Sequence, residues 1–168
     1  MKTKNNLRNV TLAILFCSMA SPLLHAGSGG RVRFSGRILL DGLSSSDLKM
    51  SIESDHGEAI PFVLRPSGAF YFTMETGMRA TVRITKPGYF TKEIALDSHH
   101  ALSTRFARRR YKHIRFDVQM QEGPICKRRF AGPVGSVAFA KGTGRVLVRY
   151  DRTMMDLNGG TIADLRGR

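Results

Sequence analysis

The stretch Gly68-Ala-Phe-Tyr-Phe-Thr-Met-Glu-Thr-Gly-Met-Arg-Ala-Thr-Val-Arg-Ile-Thr-Lys-Pro-Gly-Tyr-Phe-Thr-Lys-Glu-Ile-Ala-Leu96 decides the fold. Phe70 and Phe72 alternate with polar or outward positions, as do Ala80, Val82 and Ile84, and Phe90, Ile94 and Leu96 follow roughly in phase. Strict alternation marks a strand with one face on a core and the other in water. Glu75-Thr-Gly77 and Lys86-Pro-Gly88 are turn signals that cut the stretch into three strands.

The same pattern extends outward on both sides. Val32, Phe34 and Ile38 predict a first strand after a Gly27-Ser-Gly-Gly30 spacer, and Asp41-Gly42 a turn. Leu48, Met50 and Ile52 alternate in a second strand, which Asp55-His56-Gly57 turns into Ala59 to Leu64. Pro61 lacks an N–H donor and demotes that third strand to an edge or a bulge. Arg65-Pro66-Ser67-Gly68 is a further turn, and His113 to Gln121 a late strand with Ile114, Phe116, Val118 and Met120 on one side. Seven short strands with regularly spaced turns predict an all-β, antiparallel sandwich.

Four segments carry a family resemblance: Phe34-Ser-Gly36-Arg-Ile38-Leu-Leu-Asp41-Gly42, Gly68-Ala-Phe70-Tyr-Phe72, Val82-Arg-Ile84-Thr-Lys86-Pro-Gly88-Tyr89 and Phe116-Asp-Val118-Gln-Met120. Together they resemble the carboxypeptidase-regulatory-like domain of exported bacterial proteins. The resemblance covers residues 31–122, with the last strand displaced by a basic insertion at 98–112, and Arg65-Pro66-Ser67 departs from the usual Asp/Asn-containing turn. It implies a seven-stranded transthyretin-like, Ig-like sandwich and brings no catalytic residues. Beyond it, residues 123–151 read as a linker and an additional C-terminal β-hairpin. There Val134, Val137 and Phe139 lead through Gly142-Thr-Gly144 to Val146, Val148 and Tyr150. Residues 152–168 read as a flexible or weakly helical tail, because Gly159-Gly160 interrupts the spacing of Met154, Met155, Leu157, Ile162 and Leu165.

The first 26 residues read as a signal peptide. Lys2, Lys4 and Arg8 precede an apolar run from Val10 to Leu24, and Ala20 or Ala26 supplies the small residue at which a peptidase cuts. The run is short for a membrane span, which takes ~20 apolar residues, so no transmembrane segment is expected after cleavage. The expected destination is the periplasm, the exterior or the periphery of the envelope. Of the two cysteines Cys17 lies in this segment, so Cys126 is either a buried thiol or a link between chains; oligomeric state stays open.

Charge is the other strong signal. The signal segment holds three of the 27 Lys and Arg and none of the 13 Asp and Glu, leaving a net charge of +11. Nine basic residues crowd 98–130: Arg105, Arg108, Arg109, Arg110, Lys112, Arg115, Lys127, Arg128 and Arg129, against Asp117 and Glu122. In the 105–115 segment Phe106 and Tyr111 interleave with arginines, a mixture that pairs with phosphate or carboxylate and stacks on flat groups. Export shifts the expected partner from nucleic acid to an anionic envelope component or an acidic protein; a solvated charged loop, or arginines that blunt a sheet edge, explain the same residues without a ligand. Docking by β-augmentation on a free strand edge is the alternative.

No enzyme, cofactor or metal motif emerges. Glu53, Asp55, His56 and Glu58 match no calcium loop; His99 and His100 are adjacent and would point apart on a strand. Asp97, Ser98 and His99 lack the strained elbow of a nucleophile, and Gly142-Thr-Gly144 opens no helix that could hold a phosphate. An enzyme with a site of unfamiliar form is the third reading.

Overall fold

The computed structural model describes residues 30–41, 46–123, 128–156 and 161–162. The expected signal peptide with both its cleavage positions, Cys126 and Lys127 lie outside the described residues. Within them the chain is all-β apart from one short helix. The elements are β1 (Arg31–Leu39), β2 (Lys49–Ser54), β3 (Phe62–Leu64), β4 (Ala69–Glu75), β5 (Arg79–Thr85), β6 (Lys92–Asp97), α1 (Arg105–Arg110), β7 (His113–Arg115), β8 (Val118–Gln119), β9 (Arg128–Phe130), β10 (Gly135–Phe139), β11 (Val146–Tyr150), β12 (Met154–Asp156) and β13 (Thr161–Ile162).

The alternation that predicted the strands is the burial pattern they show. β1 buries Val32, Phe34, Gly36 and Ile38; β4 buries Phe70, Phe72 and Met74; β5 buries Ala80, Val82 and Ile84. β3 starts after Pro61 and lies at the edge of its sheet, where a missing donor breaks no ladder. One sheet runs β3-β4-β1-β7 with β8 also on β1; the other runs β11-β10-β6-β5-β2; β13-β12-β9 form a small third sheet. Inward side chains of the first two sheets belong to one hydrophobic cluster. In it Phe34 stacks on Phe72 at 5.1 Å between ring centroids, and Phe70 meets Phe116 at 5.4 Å.

Both large sheets are mixed, not purely antiparallel as the sequence suggested. β7 and β8 run parallel to β1, and β10 runs parallel to β6. Parallel neighbours need a crossover of a dozen or more residues instead of a tight turn. β7 is separated from β1 by the strands β2 to β6, and the 98–112 insertion is the last part of that connection: it leaves the second sheet after β6, forms α1, and enters the first sheet at β7.

The expected late strand is broken in two at Phe116-Asp117. Phe116 N–H donates to Ser35 O at 3.0 Å, but Arg37 N–H donates to the Asp117 carboxylate at 2.8 Å, so a side chain takes the place of a ladder carbonyl. The close approach requires Gly36, since a Cβ there would stand 1.6 Å from Phe116 O. The tail expectation needs correcting as well. Met154–Asp156 is strand β12, paired with β9 and β13, where the methionine spacing suggested a weak helix. Strand pairing through β9 overrides so slight a helical signal.

Candidate anion-binding surface

α1 is held to the sheets by a small contact. Thr104 caps it, its Oγ1 accepting from Ala107 N–H at 3.0 Å and donating to Thr143 O at 3.1 Å. Ala107 is the buried residue of the helix. It packs against the turn between β10 and β11, where a Cβ added at Gly144 would lie 2.7 Å from the Ala107 Cβ. Gly144 also has a φ of +67°, which disfavours any larger residue. With Ala107 facing inward, Arg105, Arg108, Arg109 and Arg110 are exposed. Three of those arginines occupy the last turn, where the helix dipole favours positive charge. Phe106 is 58% exposed and meets Tyr111 edge-on at 5.9 Å.

From α1 the chain carries its charge into the first sheet. Lys112 is exposed, and its carbonyl accepts from Arg33 N–H at 2.8 Å. The parallel register then sets His113 opposite Arg33 and Arg115 opposite Ser35, with Ile114 turned into the core. On the same outer face β1 presents Arg31, Arg33 and Arg37, the positions that alternate with its buried residues. Arg33 stands 5.9 Å from the Tyr71 ring centroid, and Ser35 Oγ lies 2.7 Å from His113 Nε2. Arg31 pairs with Glu75 at 3.4 Å; among the described residues Arg33, Arg105, Arg108, Arg109, Arg110, Lys112 and Arg115 form no ion pair.

Six of the nine basic residues singled out in the sequence therefore follow one continuous path over α1 and β7. Only Arg129 of the remaining three can be placed, and it lies apart. Lys127 and the Arg128 side chain lie outside the described residues, and Arg129 sits exposed on β9 in the third sheet. Phe130 of β9 packs against Lys92 at the start of β6, whereas α1 follows from the far end of that strand, ~17 Å away at ~3.3 Å per residue. Arg31, Arg33 and Arg37 were missed as site residues, although their alternation with Val32, Phe34 and Ile38 already placed them on one outer face.

The residues weighed for catalysis are occupied structurally. Ser98 is fully buried; its hydroxyl bonds Glu75 O at 2.6 Å and accepts from Met78 N–H at 3.0 Å. His99 Nδ1 lies 2.8 Å from Asp97 Oδ1. Burial alone would raise the Asp97 pKa, but the backbone N–H and imidazole of His99 and the Arg79 guanidinium outweigh it and hold the carboxylate below its ordinary range. Among the described residues no group of three His, Cys, Asp or Glu side chains could hold a metal ion, and no helix is long and apolar enough to cross a membrane. No protein-family model matches the chain, and no curated protein matches it either.

Proposed function

We propose that the chain is an exported, non-catalytic protein of the cell envelope that binds an anionic component of it, such as phosphorylated lipopolysaccharide or acidic phospholipid headgroups, through the 105–115 segment. The observation that carries this reading is the run of exposed, acid-free cations from Arg105 to Arg115, extended by Arg33 of β1. Cations without carboxylate partners pay no ion-pair exchange when they meet a phosphate, and Arg guanidinia grip phosphate bidentately. Phe106 and Tyr71 add flat apolar surface beside them. The scaffold fits a transthyretin-like sandwich in which the first two sheets are the layers, the eight strand segments β1 to β8 form the domain, with β7 and β8 together standing for its seventh strand, and β10–β11 is the added hairpin; the shared core of the two sheets supports that assignment.

The test is retention of the protein on envelope fractions, with and without Arg108, Arg109 and Arg110 changed to Ser. Retention that falls at least about tenfold in the variant supports the reading. Equal retention of both proteins, or none, refutes it.

A second reading has its own observation. β11 pairs only with β10 among the described residues, and Leu147, Val148 and Tyr150 on it are exposed. Such an edge offers backbone donors and acceptors to a partner's strand. That docking would be insensitive to salt and lost on changing Val148 to Pro, since its N–H, unlike that of Leu147, faces away from β10.

A further inference from the structure

Where the second sheet extends past the first, the sandwich opens into a cleft of about 220 Å³. β10 and β11 form one wall: Val148 lies opposite Val137, and Tyr150 opposite Gly135, on the core-facing side. Val137 is buried, but Val148 and Tyr150 are 50% and 80% exposed, so the apolar face continues beyond its cover. The opposite wall is Phe116 to Gln119 of the first sheet, and Phe130 of β9 also lines the space.

Lys92 lies among the apolar residues of this cleft. It occupies an inward position of β6, in phase with Ile94 and Leu96, and is 9% exposed. Its Nζ donates to Gln119 O at 2.5 Å and stands 5.6 Å from the Phe130 ring centroid. An ammonium has three donors, and a buried donor without an acceptor is costly. Among the described residues Gln119 O is its hydrogen-bond acceptor. Arg152 lines the same cleft. Burial, with Arg152 adding repulsion, lowers the Lys92 pKa. Asp117 is the carboxylate on the walls, and it is engaged by Arg37 N–H. Three cationic side chains, Lys92, Arg149 and Arg152, thus line a cleft whose one carboxylate is engaged by a backbone donor.

We infer that this cleft is a binding site for a small amphipathic carboxylate, with the carboxylate on Lys92 Nζ and Arg152 and the apolar body along Val137, Val148 and Phe130. The inference does not depend on α1 or on the anionic partner proposed for it. Both halves of such a ligand are matched: the head completes the hydrogen bonding of a desolvated ammonium, and the body covers exposed valine and aromatic surface. At ~30 Å³ per water the cleft holds the equivalent of about seven waters, which suits a short aliphatic chain better than a full lipid.

The experiment is calorimetric titration of octanoate and of 1-octanol into protein purified after expression of the full sequence. Octanoate binds saturably and at least about tenfold more tightly than 1-octanol, and Lys92→Met removes that preference while leaving 1-octanol unchanged. The Arg108, Arg109 and Arg110 to Ser variant binds octanoate as the parent does, which separates this site from the α1 surface. Val148→Glu, at a half-exposed wall position, weakens octanoate by a similar factor and serves as the deciding variant if Lys92→Met does not fold. No saturable octanoate binding, equal affinity for the alcohol, or unchanged octanoate affinity in Lys92→Met or Val148→Glu overturns the inference.

Discussion

Gly142 and Gly144 provide a matched pair that tests how α1 is held. Both have positive φ, +81° and +67°. An alanine at either must adopt the left-handed region, at ~1–2 kcal/mol. Their surroundings differ: a Cβ at Gly142 meets nothing within 4 Å, whereas one at Gly144 lies 2.7 Å from Ala107 Cβ, 2.9 Å from Ser103 Oγ and 3.2 Å from His100 O. The serine hydroxyl can rotate away; the Ala107 methyl and the backbone carbonyl cannot. Overpacking of that kind costs a further ~1–3 kcal/mol. Gly142→Ala should therefore destabilise by ~1–2 kcal/mol, and Gly144→Ala by ~2–5 kcal/mol when the packing term is added. Urea denaturation of the two variants beside the parent measures both values. Adding Ala107→Gly to Gly144→Ala should recover part of the difference, less ~1 kcal/mol for glycine in a helix. Equal losses in the two single variants would refute the contact that seats α1 on the β10–β11 turn.

Three further outcomes follow from the packing and the charges. Phe72→Ala removes the ring stacked on Phe34 and should cost ~3–5 kcal/mol, read by the same denaturation; a loss under ~1 kcal/mol would contradict a core centred on these rings. The depressed Asp97 pKa contributes stability that is present above its unfolded value near pH ~4 and is lost as pH falls through the lower folded value, so Asp97→Asn should flatten the acid limb of the melting temperature against pH. Lys92→Met exchanges a desolvated ammonium for an apolar chain of similar length and should leave the melting temperature at neutral pH unchanged or raised; a fall of several degrees would show that the Gln119 hydrogen bond matters more than desolvation.

How far the chain can be read from sequence differs from element to element. Period-2 alternation revealed which residues of β1, β2, β4 and β5 turn inward, because a pleated strand has no other way to sort its side chains. The same alternation carries no information on a neighbour's direction, so the parallel pairing of β7 with β1 and of β10 with β6 was not legible. α1 escaped notice because a helix of six residues with one buried position, Ala107, has no apolar period to detect; Thr104 at its N-cap was the one local cue. The basic path was legible over 105–115, since those residues are contiguous in sequence. Its extension over Arg33 depends on strand order and was not. Lys92 was passed over for a related reason: Phe90, Ile94 and Leu96 announced the strand, and a lysine in phase with them looks like an interruption until its surroundings show that it is buried.

The most direct test of the central claim is the affinity of the protein for lipopolysaccharide or acidic phospholipid vesicles as a function of ionic strength. Exposed arginines act through a field that salt screens, with a Debye length that shortens from ~30 Å at 0.01 M to ~8 Å at 0.15 M. Binding through α1 and β7 predicts an affinity that falls steeply over that range, with a shallower fall when Arg108, Arg109 and Arg110 are Ser. An affinity unchanged by salt, or the same salt dependence in parent and variant, would contradict it.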